Sequence, residues 1–251
     1  MIPALAGHRL AQVTLLDCGT FSVRGGQRII GIPAYLLTTD RGARILVDGG
    51  FPPAYARDAA AAARADGLGS FGALVDYGPR NAVVAQLGLC SVTPGDLAAH
   101  VLTHGHIDHL GALPLLSCPL VLTKIERSDP RPRYFGAARP IVWPDVETLE
   151  ITGDTRLCEG VDLLPTPGHT PGHLSLFLHL PGGPPLILAA DAINRLAEPA
   201  EGYPDAEDPA AARRSGDRLL ALQHQTGAVL ICGHEPADWP RLPKAPLPLT
   251  A

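Results

Sequence analysis

Six consecutive residues, His104-Gly105-His106-Ile107-Asp108-His109, place four side chains able to bind metal directly after an apolar stretch. Such a run constrains the fold, because its side chains can converge on an ion only if something rigid presents them. A strand ending at Val101-Leu102-Thr103 would do so, throwing the next loop out at a sheet edge where neutral imidazoles and a carboxylate meet a borderline-soft cation. His104 and His106, two apart, can address one ion, while the adjacent Asp108 and His109 turn toward a second.

The same arrangement recurs downstream. His169 lies in Thr166-Pro167-Gly168-His169-Thr170-Pro171-Gly172-His173, after the apolar run Val161 to Leu164, with glycines that open backbone conformations closed to other residues. Asp191 follows Leu186 to Ala190, and His234 follows Val229 to Gly233. Taken singly, each has an ordinary explanation, since a lone histidine is usually structural and an aspartate often just ends a strand. Together with the H-x-H-x-D-H run they make a constellation that chance rarely produces. His173 is expected to support the His169 turn rather than bind metal, and His8, His100, His179 and His224 have no ligand company. Cys232, next but one to His234, is read as a small apolar strand residue.

Short apolar segments bounded by turn residues predict strands over Gln12 to Asp17, Ala34 to Thr39, Arg44 to Val47 and Pro119 to Leu122. Further strands are predicted over Val146 to Ile151, Val161 to Leu164, Leu174 to Leu178, Leu186 to Ala189 and Val229 to Ile231. Helices are expected over Ala54 to Ala65, Asn81 to Leu87 and from Asp208-Pro209 to about Gln225, where Gly227 ends the last. Strands mixed with helices in this way argue for an α/β chain with two sheets sandwiched between helical layers. No linker divides the sequence, so residues 1–251 are expected to form one domain.

A net charge of -5 offers no basic footprint for nucleic acid or an anionic membrane. Five widely spaced cysteines without a C-x-x-C fit reduced thiols better than a disulfide framework. No run of eighteen apolar residues occurs, and the first residues do not read as a leader, so a cytoplasmic location is expected. Two stretches outside regular structure, Glu126 to Pro144 and Arg195 to Glu207, are candidate substrate contacts. Arg127, Arg131, Arg133 and Arg139 in the first are read as solvated surface; recruited to the site instead, they would imply an anionic substrate.

The chain resembles the metallo-β-lactamase-fold superfamily, and within it is similar to the N-acyl homoserine lactonases that open the ring of quorum-sensing signals. The likeness rests on Pro33-Ala34-Tyr35-Leu36-Leu37, Ile45-Leu46-Val47-Asp48-Gly49-Gly50, both histidine runs, Asp191-Ala192 and Gly233-His234-Glu235. It implies a four-layer αββα sandwich of two mixed β-sheets. It also implies that His104, His106 and His169 hold one divalent ion, that Asp108, His109 and His234 hold another, and that Asp191 bridges them. Zinc is the first expectation, with manganese or iron suited to the same donors.

Two cations so placed lower the pKa of a shared water and polarise a carbonyl, which makes hydrolysis of a lactone or ester the expected activity. Asp108 is the candidate proton carrier and Asp48 the candidate partner that orients a ligand imidazole. Where those lactonases carry a tyrosine three positions after the bridging aspartate, this chain has Asn194, which can donate a hydrogen bond to an oxyanion but no proton. Thioester hydrolysis of the glyoxalase II kind, phosphodiester cleavage and β-lactam opening are the alternative activities. A non-enzymatic metalloprotein is disfavoured because no ligand has been lost. The expected partner is a small-molecule substrate, and the expected assembly a monomer or homodimer.

Overall fold

The computed structural model describes residues 2–249, so both ends of the expected span 1–251 lie outside the described residues. A long hairpin opens the fold, β1 (Leu10–Val23) against β2 (Arg28–Thr39), followed by β3 (Arg44–Val47). Next come α1 (Pro53–Arg57), α2 (Ala59–Asp66), β4 (Gly72–Asp76), α3 (Val83–Leu89), β5 (Leu97–Val101), β6 (Leu120–Thr123), α4 (Lys124–Arg127) and β7 (Thr148–Ile151). The second half holds β8 (Thr155–Cys158), β9 (Val161–Pro165), β10 (Leu174–Leu178), β11 (Leu186–Ala190), α5 (Glu198–Glu201), α6 (Pro209–Thr226) and β12 (Val229–Cys232).

The strands form two mixed sheets, one in the order β4-β1-β2-β3-β5-β6-β7 and one in the order β12-β11-β10-β9-β8. Period-two alternation explains how they stack. Ile45 and Val47 of β3 and Ala99 and Val101 of β5 meet Leu174, Leu176, Leu186 and Leu188 of the other sheet in one buried cluster between the sheets. Leu46 and Leu120 face the opposite way, into a cluster with Tyr55, Val83 and Leu87 of the helices. Ile187 and Ala189 likewise point away from the sandwich, toward Ala212 and Leu219 of α6. Strands covered on both faces read as continuous apolar runs, which is why β3, β10 and β11 were legible from composition.

Several segments differ from the sequence reading. The expected helix over Ala54 to Ala65 is split at Asp58, whose backbone is extended (φ -154°, ψ 91°) and whose carboxylate caps α2 by accepting from the Ala61 amide. β1 runs on past the expected Asp17, because Asp17-Cys18-Gly19 is a bulge inside the strand rather than a turn. Beyond that bulge the hairpin lifts Phe21, Val23, Arg28 and Ile30 over the histidine run, and β4, which the sequence did not suggest, pairs with its outer half. The short α5 was also unexpected. No described helix is long and apolar enough to cross a membrane.

Candidate metal centre

β5 ends at Val101, and the next residues fold into the loop that the H-x-H-x-D-H run was expected to form, closed by a 3-10 turn over Ile107–His109. β9 leads into the turn carrying His169, β11 into Asp191 and β12 into His234. All seven candidate ligands therefore come together at one edge of the sandwich.

Nε2 of His104 lies 3.1 Å from Nδ1 of His106, which lies 2.9 Å from Nε2 of His169. Nitrogens at about 2.0–2.1 Å from a tetrahedral zinc stand about 3.3 Å apart, so this triad has the spacing of three donors on one ion. A second group joins Asp108, His109 and His234, with the Asp108 carboxylate 3.7 Å from Nε2 of His109 and 3.5 Å from Nε2 of His234. Asp191 faces both. Its Oδ2 is 3.2 Å from His169 and 3.7 Å from His104, while its Oδ1 is 3.4 Å from His234 and 3.6 Å from His109. Nε2 of His109 and Oδ1 of Asp191 are buried without any hydrogen-bond partner among the described residues. Orphaned polar atoms that converge in this way fit a pair of cations, because a buried lone pair left unmatched is costly.

The surrounding hydrogen bonds settle which imidazole nitrogen faces inward. Asp48, in a left-handed conformation (φ 59°) just after β3, accepts from the Thr103 amide at 2.9 Å, from the Thr103 hydroxyl at 2.8 Å and from Nδ1 of His109 at 2.9 Å. Nδ1 of His104 then donates to the Thr103 hydroxyl oxygen (3.1 Å), and Nδ1 of His234 donates to the Gly31 carbonyl (2.8 Å). Each leaves Nε2 bare on the inner side. His173 stands outside both ligand groups: its Nε2 accepts the Asp191 amide at 3.0 Å, and its Nδ1 donates to Thr166, whose hydroxyl continues through Ser175 to the Ala189 carbonyl. The sequence suggested a support for the His169 turn; the ring meets that turn at Thr166 and also holds the Asp191 backbone. Ala190, immediately before Asp191, adopts φ 46° and ψ -137°, a strained conformation of the kind held only where the surroundings over-determine it.

Burial and crowding by neighbouring imidazoles hold His104 well below the ordinary imidazole value, and burial does the same to His169. Burial also disfavours charge on His109 and His234, but carboxylates override it: Asp108, Asp48 and Asp191 push His109 up to about 10, and Asp191 with Asp108 pushes His234 up to about 9. Asp191, which burial alone would raise, is held well below its usual range by His234, His169, His104 and His109. The pocket is thus built to hold positive charge between its carboxylates.

Above the cluster opens a cavity of about 300 Å³. Its floor is His106, Asp108, His169, Asp191 and His234, and Phe21, Ile30, Phe51, Leu68, Phe71 and Phe135 supply much of the apolar wall. Asn194 lines it too, with Nδ2 3.4 Å from Glu198 and its own amide N–H donated to the same carboxylate. The arginines of the 126–144 stretch take no part: Arg131 and Arg139 bond carbonyls of their own loop, Arg133 pairs with Asp129 and Glu207, and Arg127 lies over the Trp143 ring. Tyr203 of the other stretch is buried away from the cavity, whereas Arg195 and Asp205 reach it.

Residues 29–234 match the metallo-beta-lactamase superfamily. This chain belongs to that superfamily. Among curated proteins it is 29% identical, over 88% of its own length and 88% of the relative's, to the N-acyl homoserine lactonase AttM of Azorhizobium caulinodans. An N-acyl homoserine lactone hydrolase with the product N-hexanoyl-L-homoserine at its catalytic metal centre superposes with a TM-score of 0.79 at 22% identity, covering 96% of this chain and 99% of the other. The dizinc quorum-quenching lactonase AidC, also solved with that product, superposes at 0.57 with 18% identity, over 83% of this chain and 74% of its own.

Two contributors were missed in the sequence. Gly31 must be glycine because a Cβ there would fall 1.8 Å from the Trp239 ring, yet its carbonyl holds His234 from 203 residues away. Glu126 sits in Thr123-Lys124-Ile125-Glu126, a pattern that signals a helix start and nothing more.

Proposed function

We propose that this chain is a lactonase that binds two divalent ions, zinc first among the candidates, and opens the ring of N-acyl homoserine lactones. The observation that carries the reading is the Asp191 carboxylate spanning two donor groups at the floor of an apolar cavity. His104, His106 and His169 would hold one ion and Asp108, His109 and His234 the other. When bound, the ions supply water of lowered pKa and polarise the ester carbonyl.

The chain's own residues supply the rest. The phenylalanine wall takes the acyl chain and excludes water from the floor, where electrostatic interactions then strengthen. Asp108, half-buried at the cavity floor, would take a proton and return it to the leaving alkoxide. Asn194, held by Glu198, offers Nδ2 as a hydrogen-bond donor to the carbonyl oxygen. With the arginines of the 126–144 stretch engaged elsewhere, and with Arg28 and Arg195 at the cavity paired with Asp205 and Glu201, an apolar acyl chain suits the cavity better than an anionic group. AttM and AidC, both described as lactonases, support the same activity. The five free cysteines support a cytoplasmic location, and the core shared between the two sheets supports one domain over residues 1–251.

A panel of acyl homoserine lactones, simple lactones, thioesters, phosphodiesters and β-lactams, assayed with zinc-, manganese- and iron-loaded protein, tests the proposal. The expected result is about two metals per chain and kcat/KM highest for acyl homoserine lactones, rising with acyl length. Thioester or phosphodiester cleavage exceeding that of every lactone would overturn it.

A further inference from the structure

Glu126 lies outside the candidate ligand set, yet it is bound to both loops that carry the first triad. Its side chain is 1% exposed. Oε1 accepts the Gly105 amide at 2.9 Å, between His104 and His106, and Oε2 accepts the Thr170 hydroxyl at 2.8 Å, next to His169. Its own amide is capped by Thr123 at 3.1 Å, and that hydroxyl donates to the Gly172 carbonyl at 2.6 Å. The approach is close: a Cβ on Gly172 would meet the Glu126 nitrogen at 2.2 Å, and one on Gly105 would meet Oε1 at 3.1 Å.

The partners of the other ligands lie elsewhere. His109 is oriented by Asp48, His234 by the Gly31 carbonyl, and the Asp191 backbone by His173. No side-chain hydrogen bond of Glu126 reaches those three. We infer that Glu126 is a positioning residue that sets the affinity of the ion held by His104, His106 and His169 and leaves the other ion nearly untouched. A buried carboxylate that accepts from both loops fixes their separation, and that separation sets the distance between the His106 and His169 nitrogens. The inference rests on the two-ion reading above.

The test uses Glu126→Ala, Glu126→Gln and Thr170→Val in the full chain, with zinc content and affinity measured against graded chelators. Gly105 amide hydrogen exchange is read separately in the metal-free protein. Glu126→Ala is expected to weaken one of the two ions by about 10–100-fold, the usual scale for losing an outer-shell partner, and to speed Gly105 exchange at least about tenfold. Glu126→Gln should stay within about threefold of the parent, since its amide can accept from Gly105 and donate to the Thr170 oxygen. Thr170→Val, which deletes one bond in a chain that otherwise keeps its carboxylate, should weaken the same ion by less, and it carries the test should Glu126→Ala fail to fold. Both affinities unchanged in Glu126→Ala and Thr170→Val, or both lost equally, would overturn the proposal. A parent protein that takes up fewer than two ions would refute the two-ion reading instead, and Gly105 exchange would still decide whether Glu126 holds this loop.

Discussion

Replacing Asp48 by asparagine removes one oxygen from a carboxylate that accepts three hydrogen bonds, from the Thr103 amide, the Thr103 hydroxyl and Nδ1 of His109. The amide has one acceptor, which the Thr103 backbone N–H retains. Its NH2 group then faces Nδ1 of His109, donor against donor. His109 must either give up the bond or adopt the other tautomer, whose proton sits on Nε2 and points at the metal position. Losing a hydrogen bond to a charged group costs about 1.5–3 kcal/mol. At about 1.4 kcal/mol per decade that corresponds to roughly 10–100-fold in metal affinity, the range found for outer-shell partners. Competitive titration of the metal-free variant with a zinc-sensitive chelator reads this directly, and the ion shared by Asp108, His109 and His234 should show the larger loss. Affinities within about threefold of the parent at both sites would refute the orienting role of Asp48.

Asp191→Ala is expected to lose both ions, whereas His173→Ala, which reaches the site only through the Asp191 amide, should weaken binding by about 10–100-fold; equal losses by elemental analysis would reverse the assignment. Asn194→Ala should lower kcat on the best lactone by roughly 10–100-fold, and unchanged rates would remove it from the mechanism. His100, fully buried with neither ring nitrogen bonded among the described residues, is pushed by burial from its ordinary 6.5 down to about 4. Its neutral form therefore supports the fold above the ordinary value, and that support is lost as pH falls from about 6.5 through about 4, worth about 3 kcal/mol in all. His100→Leu should flatten that acid limb in denaturant titrations of the metal-free protein, and an unaltered limb would refute the account.

The identities of the seven candidate ligands were legible in the sequence because each follows an apolar run or falls within a dense histidine motif. The central strands were legible because, buried on both faces, they read as unbroken apolar segments. Asp48 could be suspected from its place just after β3. The pairing of ligands into two groups spanned by Asp191 came from the family resemblance and not from local pattern, and the distances that bring those groups together, like the reach of Gly31 to His234 and of Glu126 to both histidine loops, depend on how two separate sheets meet at one edge. So does the cavity. Phe21, Phe51, Leu68, Phe71 and Phe135 are scattered residues in the chain, and only the bulged hairpin and the loops folded over the sheet edge bring them onto one wall. Local pattern records which side chains a strand end presents. Distances between strand ends far apart in sequence are set by sheet order and packing, which no local window contains.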